Sequence, residues 1–377
     1  MDQDCTSKQK SQPAPEHSVS TAFATLSAGH LKTMLRCVRA LYRLSHNPLY
    51  QNFVANGIPA SARLDPGHDS VMMGYDFHLT EHGPKLIEVN TNAGGALLPW
   101  LRADLGQPAE KDKKNLRDMF LSEFFRFSGA MNPPDAIVIL DEKPEEQFLY
   151  PEMVCFANLF KEMGIKTCIL DPDELKASAQ GVFHDHEKVD LIYNRHTDFY
   201  LETEPMRGLR EGYLAGRVCL TPNPRTYALL ADKRRLALWS DEKYLRQFQV
   251  PSAEREILIK TILESHLMSD LDAEDIWSNK GDWVLKPLTK FGSRGVILGK
   301  KISRKRFDEF VPEETLVQKF VPPSLTPTQT DETLKTDFRL FVYRDKALGI
   351  LARLFQGQVT NMRTPGGGFA RVKILQD

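Results

Sequence analysis

The chain has 377 residues, enough for two or three packed units. Apolar residues make up 41%, charged residues 26%, and the formal net charge is -1, which argues against a generic nucleic-acid or membrane surface. No apolar run approaches a membrane span, no hydrophobic signal core opens the chain, and the five cysteines (Cys5, Cys37, Cys155, Cys168, Cys219) lack metal-ligand spacing, so the expectation is a reduced, cytoplasmic setting.

Residues 1–18, rich in Gln, Ser, Pro and Lys, read as a disordered tail. From about Ala22 to Ala55, apolar residues recur at three- and four-residue steps (Leu31, Met34, Leu35, Val38, Leu41), predicting amphipathic helix broken near Asn47-Pro48. Two apolar runs then flank Glu81-His82-Gly83-Pro84, which predicts a β-hairpin. Asp76 falls on the face opposite Tyr75 and Phe77, while Leu86, Glu88 and Asn90 are expected to share one face. Two carboxylates and an amide oxygen at one point suit Mg²⁺ shared with phosphate oxygens; the plain alternative is a hairpin with a solvated polar face. Leu97 to about Ser128 reads as helix, its Lys111–Lys114 run as solvated surface.

Beyond Asn132-Pro133-Pro134 the pattern becomes strands alternating with helices: strands at 136–140, 166–170, 190–194 and 218–220, helices at 146–163 and 206–214. That predicts a small parallel α/β domain with its ligand edge at the strand carboxyl ends. Asn194, Arg195 and Asp198 lie past one such end; Arg195 either meets a substrate anion or pairs with Asp198 or Glu202. A helix around Tyr227–Phe248 leads to a new α+β segment, where the strand Trp283–Pro287 ends at Lys286 before the Gly292-Ser293-Arg294-Gly295 turn. Such glycines admit phosphate oxygens to backbone N–H groups, although a plain hairpin turn has the same look, and the P-loop order of residues is missing. After the strand Leu316–Val321, Arg339 and Arg353 each interrupt an apolar strand and need anionic partners. Asn361, Arg363 and Gly366-Gly367-Gly368 close the series as a loop able to contact an anion, or as a surface turn.

Together these pieces resemble the ATP-grasp superfamily, which includes D-alanine–D-alanine ligase and glutathione synthetase. The resemblance implies metal ligation by Asp76, Glu88 and Asn90, and nucleotide-binding lysines at Lys233 and Lys286. It implies a phosphate-covering loop at Gly292, Ser293 and Gly295, an adenine hinge at Gln318, Lys319, Phe320 and Val321, and a ribose contact at Asp337. Arg339, Arg353, Asn361 and Arg363 are the expected catalytic contacts, and Gln318 replaces the more usual acid. The family places its metal hairpin after the arginine strands; here it precedes them by some two hundred residues. The chain therefore resembles the circularly permuted group that includes glutathionylspermidine-synthetase-like proteins.

The implied architecture is α/β and α+β, with two α+β lobes clasping ATP and a small parallel α/β pre-grasp domain. The expected divisions are a tail at 1–18, helices plus the permuted hairpin at 19–131, the pre-grasp domain at 132–224, the nucleotide lobe at 225–322, and the remaining strands and lid loop at 323–377. The resemblance implies an ATP- and Mg²⁺-dependent carboxylate–amine or carboxylate–thiol ligase with an acylphosphate intermediate, acting on small molecules without nucleic acid or membrane. A small-molecule kinase and a non-catalytic nucleotide-binding module stay open, as does a homodimer. Lid candidates are 290–295 and 363–368; Arg63, Arg195 and Arg363 are candidate carboxylate anchors, and no side-chain nucleophile is expected.

Overall fold

The computed structural model describes residues 13–105, 108–289, 295–328 and 332–376, so Gly292 and Ser293 lie outside the described residues. The strands in chain order begin with β1 (Val19–Ser27), then the hairpin β2 (Met73–Thr80) and β3 (Gly83–Asn90). Next come β4 (Ala136–Leu140), β5 (Lys166–Leu170), a short meander of β6 (Lys176–Ser178), β7 (Gly181–His184) and β8 (Glu187–Lys188), then β9 (Leu191–Asn194) and β10 (Cys219–Thr221). The second half adds β11 (Ser265–Leu267), β12 (Trp283–Pro287), β13 (Ile297–Leu298), β14 (Thr315–Lys319), β15 (Ser324–Pro327), β16 (Thr333–Tyr343), β17 (Lys346–Phe355) and β18 (Gly368–Leu375).

These strands form three substantial sheets. The largest runs β1-β18-β17-β16-β2-β3, with β15 on β16, and so joins early residues to late ones. In it β2 pairs antiparallel with β16, setting Asp76 opposite Arg339, while β1 lies parallel to β18. The predicted parallel sheet is present as β10-β9-β4-β5, and a third, antiparallel sheet runs β11-β14-β12-β13.

Three local expectations need correction. Val19–Ser27 is strand, not the approach to a helix; buried Ala22, Ala24 and Leu26 alternate with exposed Phe23 and Thr25, and the small alanines hide the period of two. Helix begins only at Ala28, where the Ser27 side chain accepts from the His30 amide, and runs to Ser45 with Met34, Val38 and Leu41 buried. The segment after Leu97 makes two 3-10 turns, and its helix is delayed to Glu110–Ser128, beyond Pro108. The expected helix Tyr227–Phe248 is broken into a π-helical turn (Tyr227–Ala231), a bend at Asp232-Lys233, and the helices Arg234–Ser240 and Glu242–Gln247.

One core packs the Ala28–Ser45 helix, Tyr50, Trp239 and Phe248 against the large sheet. A second, with Phe120, Phe156, Phe160 and Tyr193, binds the parallel sheet to Phe341 and Phe369 of the large one. Both cores leave the same edge open, between the strand ends of the parallel sheet and one face of the hairpin. Among the described residues, no helix is long and apolar enough to cross a membrane.

Candidate functional site

The hairpin register contains a bulge. Asp76 faces Glu88 and Phe77 faces Leu86, leaving Ile87 as the extra residue. Leu86 therefore joins Phe77 in the core, and Glu88 and Asn90 turn to the opposite face; the expectation that Leu86 and Glu88 share a face is corrected by that one residue. Ile87 has its own use, because its carbonyl accepts from Lys286 Nζ at 2.9 Å.

Asp76, Glu88 and Asn90 do converge. Asn90 Nδ2 lies 3.2 Å from Asp76 Oδ2 and 3.3 Å from Glu88 Oε1. Asp76, 0% exposed, is nevertheless tied elsewhere: Arg339 Nε donates to Oδ1 at 2.7 Å and Arg339 Nη2 to Oδ2 at 2.6 Å, and Arg353 Nη2 adds 2.8 Å. Burial pushes the Asp76 carboxyl up, but the two guanidiniums outweigh it and hold it well below the usual carboxylate range. Gly74 makes room for this arrangement: a Cβ there would sit 2.7 Å from Ala93 Cβ and 3.4 Å from Arg339 Nε.

Arg353 continues the network through Nε to Asp337 Oδ1 at 2.6 Å, and Thr360 Oγ1 donates to Asp337 Oδ2 at 2.7 Å. Asp337 is thus engaged with Arg353 and Thr360 rather than presented to a ribose. No group of three or more His, Cys, Asp or Glu side chains that could cage a metal occurs among the described residues. The groups that fit a cation shared with phosphate are Glu88 and Asn90, with Asp76 behind them as the arginine anchor.

The opposite rim is cationic. Lys286, 7% exposed on β12, donates to Ile87 O and at 2.6 Å to Gln318 Oε1. Gln318 Nε2 in turn donates to Ser265 Oγ at 3.1 Å, which fixes the amide's orientation. Gln318 thus holds the lysine with a neutral oxygen where an acid would have neutralised it. Burial brings the Lys286 ammonium down to about 8, with Glu88 opposing that shift and Lys233 adding to it. Lys233, at the bend after the π-helical turn, is lowered by burial in the same way, with Glu88 again opposing.

Glu88 and Lys286 border one pocket, with an apolar lining that includes Val284, Leu298, Phe320 and Phe355. Glu88, Arg353, Val296 and Thr360 also border the adjoining cleft, about 2050 Å³ of space reaching the parallel sheet. Lys233, Asn90, Arg339, Asn361 and Arg363 line that cleft. In the hinge, the amides of Lys319 and Phe320 donate to Glu264 O and Asp282 O, and Val321 O lies 3.0 Å from His78 Nδ1. Gly295 is the turn residue leading into β13, with a φ of 74°.

Of the lid candidates, 290–294 lie outside the described residues. The 363–368 loop is only partly free: Ser20 Oγ donates to Gly366 O at 2.7 Å and the Phe369 amide to Ser18 O at 2.8 Å, while Asn361 and Arg363 are exposed. Arg195 is not paired with Asp198 or Glu202. Its guanidinium lies 3.6 Å from Glu152 Oε2 and donates to Tyr193 Oη at 3.1 Å. Arg63 points to Ile58 O and does not line the cleft. Sequence reasoning missed Asp141, Glu142, Asn92 and Thr360, all on the cleft or its network. Asp141-Glu142 could have been found, because they directly follow the predicted strand 136–140 at its ligand end.

No protein-family model matches the chain, and no curated protein matches it. Solved structures do share its fold. A glutathione synthetase-like effector from Globodera pallida, in its apo form, is 12% identical, with a TM-score of 0.58 over 95% of this chain and 90% of that one. An assigned gamma-glutamylcysteine synthetase from Methylobacillus flagellatus is 8% identical, with a TM-score of 0.50 over 94% and 89%. At such identities the likeness establishes the fold, which is mixed α/β and α+β and glutathione-synthetase-like.

Proposed function

We propose that the protein is an ATP- and Mg²⁺-dependent carboxylate–amine ligase of the ATP-grasp type. The observation that carries this reading is the placement of Glu88 near both Lys233 and Lys286, on the rim shared by an apolar pocket and a large cleft lined by charged side chains. An adenine would enter the apolar pocket beside Phe320 and Val321, and its phosphates would pass Lys286 and Lys233 into the cleft. Mg²⁺ held by Glu88 and Asn90 would neutralise phosphate oxygens there.

A carboxylate is a poor electrophile until one oxygen becomes a phosphate leaving group. The chain's part in that conversion is positional: Arg339 and Arg353, locked by Asp76 and Asp337, present fixed positive charge to the transferring phosphoryl group without reorganising. Arg363 and Asn361, exposed on the cleft lining, complement them. An acceptor amine then displaces phosphate, forming the C–N bond as the C–O bond to phosphate breaks. The fold likeness to synthetases supports this chemistry.

The test uses purified protein, Mg-ATP, a panel of small carboxylic acids, and hydroxylamine as a general acceptor. The expected result is carboxylate-dependent release of ADP and phosphate with hydroxamate formation. Phosphorylated product without phosphate release would instead identify a kinase, and absence of ATP binding at millimolar concentration would leave a non-catalytic module.

A further inference from the structure

The cleft has two walls of opposite character. The wall built by the large sheet and the Asp232-Lys233 bend carries Lys233, Arg339 and Arg353. The wall built by the parallel sheet carries Asp141 and Glu142, directly after β4, with Asn92 beside them. The main chain of Arg195 joins these groups: its amide donates to Leu140 O at 2.8 Å, and its carbonyl accepts from Asn92 Nδ2. That bond fixes the Asn92 amide with Oδ1 as its remaining acceptor, and this oxygen is buried with no donor. Asp141, 8% exposed, receives only the Glu142 amide at Oδ1, which leaves Oδ2 without a donor. The nearby Arg195 guanidinium lies 3.6 Å from Glu152 Oε2 and acts on Asp141 only through space, with no hydrogen bond to its carboxyl. A buried acceptor left without a donor costs roughly 1–3 kcal/mol, and Asn92 Oδ1 is one such acceptor, beside a carboxylate oxygen of Asp141 that no protein group donates to; the pair asks for a ligand rich in N–H donors.

We infer that Asp141, Glu142 and Asn92 form a subsite for the protonated amine of the acceptor substrate, with Asp141 as the base that takes its proton. The inference rests on the ligase reading for its chemistry, but the binding site itself does not require it. An ammonium has three donors and one positive charge, which matches the unpaired Asn92 oxygen, the free Asp141 oxygen and the exposed Glu142 carboxylate. Burial raises the Asp141 carboxyl to about 6, with Arg195 opposing, which makes it a stronger base than an ordinary aspartate. Asp141 Oδ2 first takes one proton from the ammonium and frees the nitrogen lone pair; the nitrogen then bonds the acyl carbon, the carbon–oxygen bond breaks, and the second N–H proton leaves with the departing inorganic phosphate. The acid wall and the phosphate wall thus divide the work of one cleft: one activates the carboxylate, the other supplies the nucleophile.

The experiment is a ligand-observed NMR titration of the full chain with propylamine at pH 8, using 1-propanol as the neutral isostere. Wild-type protein should bind propylammonium saturably and discriminate against propanol. Asp141→Asn should weaken amine binding at least tenfold and Glu142→Gln by a smaller factor, with Mg²⁺ and a non-hydrolysable ATP analogue bound equally by all three proteins. Equal amine binding by Asp141→Asn and wild type, or no saturable binding by wild type, overturns the subsite. Failure of the ATP analogue to bind overturns the ligase reading instead, and Asp141-dependent amine binding would survive that outcome.

Discussion

Two charged constellations face each other across the site, and they are balanced differently. On the large sheet, Asp76 and Asp337 meet Arg339 and Arg353, two negative charges for two positive, through four bonds of 2.6–2.8 Å. On the opposite rim, the Lys286 ammonium rests on two neutral oxygens, and Glu88 and Asp76 act on it only through space. The consequences differ in sign. Burial pulls both down, but pairing with Asp337 and Asp76 outweighs it at Arg353 and fixes that charge, whereas at Lys286 burial prevails. The matched set is charge held rigid with or without a ligand; a buried ammonium on neutral oxygens is the group that gains most when an anion arrives.

The sharpest way to break that contrast is Asp76→Asn. It strands the buried Arg339 guanidinium and leaves Arg353 with Asp337 alone, and removing one partner of a buried ion pair costs about 3–5 kcal/mol. Denaturant unfolding should show that loss directly. A loss below about 1 kcal/mol would mean that Asp76 is available to a cation after all.

Glu88→Gln should do the opposite. Stability should stay within about 1 kcal/mol, while the proposed turnover falls at least about 100-fold because a phosphate-side charge is gone. Unchanged ATP turnover in a folded Glu88→Gln protein would remove Glu88 from the metal role.

Lys286 separates the two sets by pH. Its folded value of about 8 lies below the ordinary 10.5, so its burial penalty is full below pH 8 and vanishes above 10.5. The group's contribution to stability therefore rises with pH across that window, and Lys286→Met should flatten the rise. Net stability of the variant at pH 7 is a poor readout, because Gln318 Oε1 and Ile87 O lose their donor at the same time. Nucleotide binding by the wild type should take up protons at pH 8 to 9, as phosphate restores the ammonium; calorimetry in buffers of different ionisation enthalpy would detect this.

How much of this was legible beforehand follows from the range of each interaction. The hairpin, the parallel sheet and the lysine strand are local, set by apolar period and turn residues, and the sequence announces them. The joining of 73–90 to 333–355 was legible only because motif order resembled a known cyclic arrangement. The bulge at Ile87 was invisible, since a period-two reading has no way to count an extra residue, and it reverses which neighbour of Glu88 enters the core. Asp76 was assigned by its residue type; that Arg339 and Arg353 would occupy both of its oxygens depends on strand pairing across more than 260 residues of chain. β1 escaped because its buried positions are partly alanine, too small to mark a face.

Asp141 carries the smallest expected effect and the cleanest sign. Its folded value of about 6 lies above the ordinary 3.8, so the charged carboxyl is disfavoured in the folded chain. Below pH 3.8 both states hold the proton and the penalty is absent; it grows as pH rises through that window and is complete above about 6. Asp141→Asn, which removes the charge while keeping the shape, should stabilise the protein by about 1–2 kcal/mol at pH 7.5 and leave it unchanged near pH 4. Parallel urea titrations at the two pH values measure the difference. A variant that gains stability while losing amine binding would show a carboxylate kept at a cost to the fold, as a group retained for a ligand must be. A variant that loses stability at pH 7.5 would place Asp141 with the matched charges of the large sheet instead.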